Sequence, residues 1–394
     1  MRDVLLLVPA DPDVVVIGAG VVGAACALAA ARAGLRVLVV DRGPVAGGTT
    51  GAGEGNLLVS DKPPGPELDL ALLSLQLWSE VDEHVREVTG GGFELERKGG
   101  LVVATDPAAV PALSALAAQQ RGAGVEAVEV PAADLGEHEP HLARDLAGGV
   151  LYPQDAQVQP MLAAARLLQA ARRHGAGVRT GVSVTGMLMD GDRVAGVRTA
   201  EGDVPAGAVV NAAGTWGGEV AALAGVHLPV LPRRGVVLVT QPLPPMVRHK
   251  VYAAEYVSDV ASDEAGLESS AVVEGTRAGT VLVGASRERV GFERAMPLAV
   301  VRRLAAQAVR LFPVLADVAL LRSYAGFRPY CPDHLPVIGP DPRAPGLLHA
   351  CGHEGAGVGL AAATGHLLAR VLTGSEPDAE LAAFRPERFA GVPA

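Results

Sequence analysis

The strongest constraint on the fold of this chain is a strand–loop–helix–strand pattern over residues 14–41. Residues 14–17 are an uninterrupted run of β-branched residues, which is typical of a strand buried on both faces of a parallel sheet. The glycine pattern G-x-G-x-x-G follows at 18–23, and the Ala-rich segment 24–33 favours a helix that ends at Gly34. A second apolar run, at 36–40, ends in Asp41. This order predicts a βαβ unit that binds a dinucleotide.

Each part of this unit has a physical role in holding a dinucleotide. Gly18 allows the tight turn, Gly20 lets the backbone approach a pyrophosphate, and Gly23 lets the helix pack closely on the strand. The helix N-terminus offers unpaired N–H groups and a partial positive charge to the phosphates. The Asp41 carboxylate can accept hydrogen bonds from ribose hydroxyls and would repel the 2′-phosphate of NADP, but it does not distinguish FAD from NAD.

Three further small-residue loops extend this predicted site along the chain. Residues 47–56 contain two hydroxyls, residues 209–216 end a predicted strand, and residues 352–359 open a predicted helix that runs to about Leu372. Loops spread from residue 18 to residue 359 suit a long ligand held at both ends, which favours FAD. The predicted cofactor contacts are Gly18, Ala19, Gly20, Val22, Gly23, Asp41, Arg42, Thr49, Thr50, Gly53, Glu54, Gly55, Asn56, Val184, Ala213, Gly214, Trp216, Gly235, Gly352, His353, Glu354, Gly355, Ala356, Gly357 and Val358.

Composition limits the classes of protein to which the chain can belong. Apolar residues make up 49% and charged residues 19%, so the chain can bury a large core and general disorder is excluded. The net charge of −10 argues against a nucleic-acid partner. Cys26, Cys331 and Cys351 are the only cysteines, which excludes a disulfide scaffold, an all-thiolate zinc site and an iron–sulfur cluster held by this chain alone. We expect no metal site.

The uncharged stretch at residues 14–31 is long enough to imitate a membrane span. Glycines interrupt it, and acidic residues precede it where a signal peptide would be basic. We therefore expect no integral membrane segment and a cytoplasmic protein.

Taken together, the motifs resemble the D-amino acid oxidase (DAO) superfamily of FAD-dependent amine oxidoreductases. Within it the chain is similar to glycine oxidase, sarcosine oxidase and the flavin subunits of opine oxidase and D-hydroxyproline dehydrogenase. The likeness runs from about Asp13 to Leu372. The segments that carry it are 16–23, 41–42, 49–56, 149–153, 209–216, 232–235, 326–329, 333–339 and 352–359.

The resemblance implies an α/β protein with a discontinuous, Rossmann-like FAD-binding domain of the glutathione-reductase type. Into this domain is inserted an α+β substrate domain built on a mixed sheet. We place the FAD-binding domain at 13–90, 141–225 and 325–375, and the substrate domain at 91–140 and 226–324. Residues 376–394 form a C-terminal tail, which we expect to be loosely held from 377 onward.

The chemistry of the family suggests residues for the substrate site. Oxidation of an amino acid requires its Cα–H to point at flavin N5, so that a hydride passes to the ring and an imine is left. Arg328 lies where resembling enzymes carry the Arg that binds the substrate carboxylate, and His353 is a candidate for stabilising the reduced ring if it is protonated. Tyr252 and Tyr256 are candidates for a lid over the substrate. Glu54 either binds the substrate amine or is a solvated loop acid.

Three departures from related enzymes bear on the cofactor and the reaction. The position of the flavin-linking Cys of some sarcosine oxidases falls near Gly326, so we expect non-covalent FAD. The Lys that those enzymes place beside N5 has no counterpart in residues 281–284, which favours a dehydrogenase over an oxidase. Gly355 stands where glycine oxidase has a second Arg, so any second carboxylate contact must come from elsewhere.

The predicted function is FAD-dependent oxidation of a small D-amino acid, an N-alkyl glycine, or a proline or hydroxyproline type of substrate. The electron acceptor is oxygen or another redox protein or subunit. One alternative is oxidation of a hydroxy acid or a polyol phosphate. Another is a flavin subunit that is active only within a heteromeric dehydrogenase.

Overall fold

The computed structural model describes residues 12–260, 264–375 and 381–391 of the chain. In chain order, the elements are β1 (Val14–Ile17), α1 (Val21–Arg32), β2 (Val37–Asp41), β3 (Asn56–Leu57), α2 (Pro66–Thr89), β4 (Gly100–Ala104), α3 (Val110–Gly122), β5 (Val128–Pro131), α4 (Leu135–His138), β6 (Gly148–Tyr152), β7 (Ala156–Gln157), α5 (Pro160–Arg173), β8 (Gly177–Thr180), β9 (Val184–Asp190), β10 (Arg193–Thr199), β11 (Gly202–Pro205), β12 (Ala208–Asn211), α6 (Gly217–Ala222), β13 (Leu231–Thr240), β14 (Lys250–Ala253), α7 (Glu255–Val260), β15 (Glu268–Gly275), β16 (Val281–Arg287), α8 (Leu298–Leu311), β17 (Leu320–Tyr330), β18 (Val337–Pro340), β19 (Leu347–Cys351) and α9 (Gly357–Leu372).

A six-stranded sheet in the order β18-β19-β12-β1-β2-β8 carries the predicted βαβ unit. Its strands are parallel except for the antiparallel pair β18–β19. Val14 and Val16 of the central strand pack into the core that contains α1, α5 and α9. Val15 and Ile17 point to the other face, where the small sheet β11-β10-β9 covers them. Both faces are buried, which explains the unbroken apolar run in β1.

The glycines of the first loop act as the sequence predicts for a tight βα turn. Gly18 has φ +118°, and a methyl group there would lie 2.3 Å from the carbonyl oxygen of Ala212. A methyl group at Gly23 would lie 2.0 Å from the carbonyl oxygen of Gly18. The helix begins at Val21, so the third glycine of the motif lies in its first turn.

The first and last long helices of the structure pack against each other. Gly365 of α9 lies so close to α1 that a methyl group there would be 2.6 Å from the carbonyl oxygen of Ala25. Small residues thus bring the two backbones close together on one face of the parallel sheet.

The second large sheet has eight strands in the order β17-β13-β16-β15-β14-β4-β6-β5, with α8 packed on it. It is mixed, because β14 and β4 pair in parallel while the other neighbouring strands of this sheet pair antiparallel. Two of its strands do not follow the predicted domain ranges. β6 lies within 141–225, and β17 crosses the predicted boundary at 325. The predicted mixed α/β architecture is confirmed, whereas the domain limits stay a prediction.

Residues 178–184 belong to two strands, because β8 ends at Thr180 and β9 begins at Val184 in a different sheet. One local prediction was wrong. The expected loose tail is packed over 381–391, where Phe384 and Phe389 are buried and Arg388 pairs with Asp333 at 2.6 Å. Residues 376–380 and 392–394 lie outside the described residues.

Within the described ranges, no helix combines the length and the apolar character that crossing a membrane requires.

Candidate functional site

A cavity of about 480 Å³ lies at the carboxyl ends of β1, β2 and β12. This is where parallel α/β sheets bind their ligands. The four glycine-rich loops that the sequence singled out all contribute to its wall. The predicted site residues that line it are Gly18, Gly20, Val22, Asp41, Arg42, Thr49, Thr50, Gly53, Glu54, Asn56, Val184, Ala213, Gly214, Trp216, Gly235, Tyr256, Arg328, His353, Glu354, Gly355, Gly357 and Val358.

Five predicted cofactor contacts and one predicted substrate contact lie outside this wall: Ala19, Gly23, Gly55, Gly352, Ala356 and Tyr252. Several of them have packing roles instead. A methyl group at Gly55 would lie 1.8 Å from the carbonyl oxygen of Val158, so this glycine serves a close backbone crossing.

Two helix N-termini open into the cavity. Gly20 caps α1 and Ala356 caps α9, and neither helix has a side-chain cap. The first residues of both helices, including Val22 and Val358, line the wall. The positive end of each helix dipole, and the first-turn N–H groups other than that of Val21, favour negatively charged ligand groups at both positions.

Asp41 connects the first two loops before any ligand binds. Its Oδ2 accepts a hydrogen bond from the backbone N–H of Ala19 at 2.7 Å, and its Oδ1 accepts one from Gly43 at 2.7 Å. A carboxylate oxygen can accept a further hydrogen bond, and Asp41 lines the cavity. The position therefore suits contact with ribose hydroxyls.

The two hydroxyls of the second loop make hydrogen bonds within the protein. Thr50 Oγ1 accepts a hydrogen bond from the N–H of Val21 at 3.0 Å, and Thr49 Oγ1 donates to the carbonyl oxygen of Phe327 at 2.6 Å. These bonds join the loop to α1 and to β17. Their first role is to hold the wall together.

Aromatic residues surround one end of the cavity. The Arg42 guanidinium lies 4.4 Å from the centre of the Trp216 ring, and this ring stacks on Phe292 with 5.5 Å between centroids. Sequence reasoning missed Phe292 and also Arg294, which lines the cavity nearby. Both residues follow β16 in an irregular segment that has no motif.

His353 is neutral at physiological pH, so the condition under which it would stabilise the reduced ring, a protonated side chain, is not met. Burial lowers the pKa of His353 to about 3. Its Nε2 lies 3.0 Å from Thr364 Oγ1, which itself donates to the carbonyl oxygen of Leu360, so Nε2 carries the hydrogen. The side chain thus fixes the start of α9.

Arg328 reaches the cavity from β17. Its Nη1 donates to the carbonyl oxygen of Ser286 at 2.8 Å, and it forms no ion pair with the residues that the structure describes. Burial, and then the neighbouring guanidinium of Arg287, lower the pKa of Arg328 to about 10, so it remains a cation at neutral pH. A planar guanidinium without a carboxylate partner is suited to bind a ligand carboxylate.

Glu54 is buried, so the prediction of a solvated loop acid is wrong. Its Oε2 lies 3.5 Å from Lys250 Nζ and accepts a hydrogen bond from Asn56 Nδ2 at 3.2 Å. Its Oε1 is buried and has no hydrogen-bond partner among the described residues. Glu54 lines the cavity, and its Oε1 lies against β16, where a methyl group added at Gly284 would be 2.3 Å from this oxygen.

Lys250 is a buried cation that the sequence analysis did not single out. Its Nζ lies 2.8 Å from Glu274 Oε2 and also contacts Asn56 Oδ1. Burial alone would lower the pKa of Lys250, but the Glu274 and Glu54 carboxylates outweigh burial and hold this pKa above its usual value. Lys62, Lys98 and Lys250 are the only lysines of the chain, and this scarcity is the sequence feature that could have drawn attention to Lys250.

The two tyrosines have different surroundings. Tyr252 is fully buried, donates its hydroxyl hydrogen to Ser60 Oγ and does not line this cavity, so its expected place in a lid is wrong. Tyr256 lines the first cavity and packs edge-to-face on Tyr252, with centroids 5.0 Å apart.

These residues would fit FAD. The wall carries two helix N-termini for phosphate or flavin oxygens, an acid for ribose, and loops whose glycines leave room for close approach. The three cysteines are buried, and none lines the cavity, which is consistent with non-covalent attachment.

Comparison with known proteins gives a consistent result. The family model DAO, described as FAD dependent oxidoreductase, matches residues 13–371. The hydrogen cyanide synthase subunit HcnC of Pseudomonas aeruginosa is 30% identical and covers 97% of each chain. Glycine oxidase of P. aeruginosa is 32% identical over 95% of this chain and 98% of its own. The crystal structure of glycine oxidase from Geobacillus kaustophilus matches with a TM-score of 0.88 at 29% identity, over 96% of this chain and 99% of that one.

Proposed function

The chain belongs to the DAO family of FAD-dependent oxidoreductases, and we propose that it oxidises a small amino acid or secondary amine whose carboxylate binds Arg328. Candidate substrates are D-amino acids, N-alkyl glycines and cyclic amino acids of the proline or hydroxyproline type. When bound, FAD accepts a hydride from the substrate Cα, and an imine is left.

The observation that carries this proposal is the position of Arg328 on the cavity wall, where no carboxylate among the described residues pairs with it. The guanidinium lines the cofactor cavity, lies against Gly235 and is held by the carbonyl oxygen of Ser286. A methyl group at Gly235 would lie 2.1 Å from Arg328 Nη1, so the glycine makes room for the side chain. Fixing a substrate carboxylate at this place restricts the orientation of Cα, which is the main contribution that the protein can make to hydride transfer.

Glu54 supports an amine as the reacting group. The unpartnered Oε1 provides a hydrogen-bond acceptor on the wall that also carries Arg328. An amine N–H can donate to it, whereas Arg328 can only donate hydrogen bonds. One acceptor and one cation on the same wall match the two ends of an amino acid.

The test is an anaerobic flavin-reduction screen of the purified holoenzyme. Both enantiomers of small amino acids, N-alkyl glycines and hydroxyproline isomers are added, and the loss of flavin absorbance is followed. Bleaching by at least one of them is expected. Bleaching only by hydroxy acids or polyol phosphates would contradict the proposal.

A second candidate is a flavin subunit of a heteromeric dehydrogenase. One relative is named a subunit of hydrogen cyanide synthase, and β16 contains no Lys that would favour reaction with oxygen. Electron transfer to a soluble dye much faster than to oxygen would support this candidate. Rapid re-oxidation of the reduced, isolated chain by oxygen would count against it.

We also propose a cytoplasmic location. The three cysteines are free thiols, as expected in a reducing compartment. Fractionation of cells that produce the protein tests this proposal directly.

A further inference from the structure

A second cavity, of about 700 Å³, adjoins the cofactor cavity. Tyr256, His353, Glu354 and Gly355 line both cavities, so the two spaces meet at these residues. The outer wall of the second cavity comes from the proline-rich segment 63–66 and from α3, which contributes Leu113 and Leu116. A mostly apolar space next to a flavin site has the character of a substrate pocket.

Arg287, the last residue of β16, is a buried cation on the wall of this second cavity. Its side chain is 2% exposed, and its Nη1 is buried without a hydrogen-bond partner. Its guanidinium lies 4.6 Å from the centre of the Tyr256 ring. The cation–π contact with the ring uses the flat face of the guanidinium. The N–H donors lie in the plane of the group, so this contact does not occupy them. Within the described part of the chain, no carboxylate pairs with Arg287.

The acids around Arg287 are held by other partners. Asp61 lies 2.6 Å from Lys62 Nζ, and Asp333 lies 2.6 Å from Arg388 Nε. These two carboxylates already have cationic partners, and neither of them is paired with Arg287.

The remaining acids on this wall are Glu354, Glu255 and Glu67. Glu354 is paired with Arg233 and His334, and Glu255 accepts a hydrogen bond from Thr105 at 2.7 Å. Desolvation raises the pKa of the half-buried Glu67 to about 7, which removes part of its negative charge at neutral pH. Among the described residues, Arg287 is therefore a buried positive charge without an ion-pair partner, which favours an anionic ligand group beside it.

A hydrogen bond links the side chain of Arg328 to the strand that carries Arg287, but the two arginines line different cavities. The carbonyl oxygen of Ser286, the residue before Arg287, holds Arg328 Nη1 at 2.8 Å. Arg328 lines the cofactor cavity only, and Arg287 lines the second cavity only. The two arginines thus place one cation on each of two adjoining cavities, which suits two anionic groups on one molecule better than a single carboxylate.

We propose that the second cavity holds the distal part of the substrate and that Arg287 binds a second carboxylate there. The preferred substrate is then an amino acid or N-substituted glycine with a carboxylate at the end of its side chain or N-substituent. This inference rests on the proposed function, since it assigns the first carboxylate to Arg328. Arg287 is a specificity-determining residue under this assignment.

The experiment uses pairs of compounds that differ only in a terminal methyl or carboxylate. Norvaline is compared with glutamate, as both enantiomers, and N-propylglycine with N-(2-carboxyethyl)glycine. The kcat/KM ratio of the dicarboxylate to the monocarboxylate is measured for the wild-type holoenzyme, Arg287→Met and Arg287→Lys. Arg303→Met, an exposed site on α8, controls for the loss of one positive charge.

We expect the wild type to prefer the dicarboxylate of at least one pair by tenfold or more. Arg287→Met should lower that ratio at least tenfold, Arg287→Lys should retain part of it, and Arg303→Met should leave it unchanged. Equal use of both members of every pair by the wild type would overturn the proposal. An equal loss for both members in Arg287→Met would do the same, because it would place Arg287 on the first carboxylate.

A binding measurement separates this proposal from the proposed function. Glutarate and pentanoate are titrated into the oxidised holoenzyme, and the shift of the flavin spectrum gives each dissociation constant without turnover. Tighter binding of glutarate that is lost in Arg287→Met supports the second site even if no amine reduces the flavin. If pentanoate binds as tightly as glutarate, the second site is excluded. Flavin content and thermal melting of each variant show whether Arg287→Met is folded, and Arg287→Lys provides the test if it is not.

Discussion

Glu354 and Arg233 form a buried ion pair, with 2.6 Å between Oε1 and Nη1, next to the loop that opens α9. The second oxygen of Glu354 lies 2.8 Å from His334 Nδ1. Burial alone would raise the pKa of Glu354, but the hydrogen bond from His334 and the charge of Arg233 outweigh it and hold this pKa below its usual value. The cluster thus fixes an ionised carboxylate at the junction of the two cavities.

We expect Arg233→Met to lower the free energy of unfolding by about 3–5 kcal/mol, because Glu354 and Glu268 would both lose their buried partner. Urea unfolding at pH 7 measures this change. Arg36→Met is the control, since Arg36 pairs with Asp13 on the surface and should contribute about 1 kcal/mol or less. Similar losses in the two variants would contradict the prediction. The contribution of ionised Glu354 should persist above its ordinary pKa of 4.5 and fade as the pH falls below it.

The buried His353 should make the protein less stable in mild acid. Its pKa is about 3 in the folded protein and about 6.5 in the unfolded chain, so only the unfolded state takes up the proton between these values. Stability is fully present above pH 6.5 and falls by about 1.4 kcal/mol for each pH unit below it, until about pH 3. His353→Gln keeps a donor for Thr364 and should flatten this dependence between pH 7 and pH 5. His141→Gln, at an exposed site, should not. Urea unfolding at both pH values decides between them.

Lys250→Met should destabilise the protein by about 3–5 kcal/mol, because Glu54 and Glu274 would face each other without a cation. The double variant with Glu274→Gln removes one of the two charges and should recover part of the loss. Chemical unfolding of the single and double variants measures the difference. No recovery in the double variant would show that Lys250 acts through packing instead of charge.

Gly20→Ala should weaken FAD binding with little effect on folding. Gly20 has an extended backbone conformation, with φ −75°, and the nearest atom to an added methyl group is Thr50 Oγ1 at 3.1 Å. The methyl group would occupy the cavity wall where the backbone is expected to approach the pyrophosphate. The ratio of flavin to protein absorbance, and the melting temperature of the apoprotein, measure the two effects. Gly122→Ala, which meets no atom within 4 Å, should retain full flavin content.

Arg328→Lys should lower kcat/KM for the best substrate by about 30-fold or more, which corresponds to the roughly 2–5 kcal/mol lost when a shielded ionic contact is broken. A lysine keeps the charge but not the planar pair of donors. Steady-state kinetics of the variant, with flavin content as a check on folding, provide the measurement. An unchanged kcat/KM would remove Arg328 from the substrate site.

Local patterns in the sequence were sufficient for the elements that form the cofactor cavity. The run Val14–Ile17 and the glycines after it predict β1, the turn and α1 because each depends on neighbours in the chain. Small-residue loops could be assigned to one ligand without knowledge of the sheet order. The family resemblance then gave Arg328 its role as a prediction.

Features that depend on distant contacts could not be predicted in the same way. Burial, which makes His353 neutral, and pairing with Lys250, which holds Glu54 inside, are properties of the folded chain alone. Tyr252 lies in β14, which ends at Ala253, and Tyr256 lies in α7, which begins at Glu255. The change from strand to helix between them gives the two rings different surroundings. Arg287 was missed because no motif marks the end of β16, and only the fold brings this residue to the wall of the second cavity.

The contact between α1 and α9 has a consequence for biosynthesis. A nascent chain still on the ribosome before residue 357 has emerged lacks the helix that covers α1 and completes the flavin wall. Such a chain exposes the side of α1 that α9 covers, and it lacks part of the wall of the cofactor cavity. We therefore expect FAD to be retained only after α9 has emerged, and a chain truncated before residue 357 to purify without flavin.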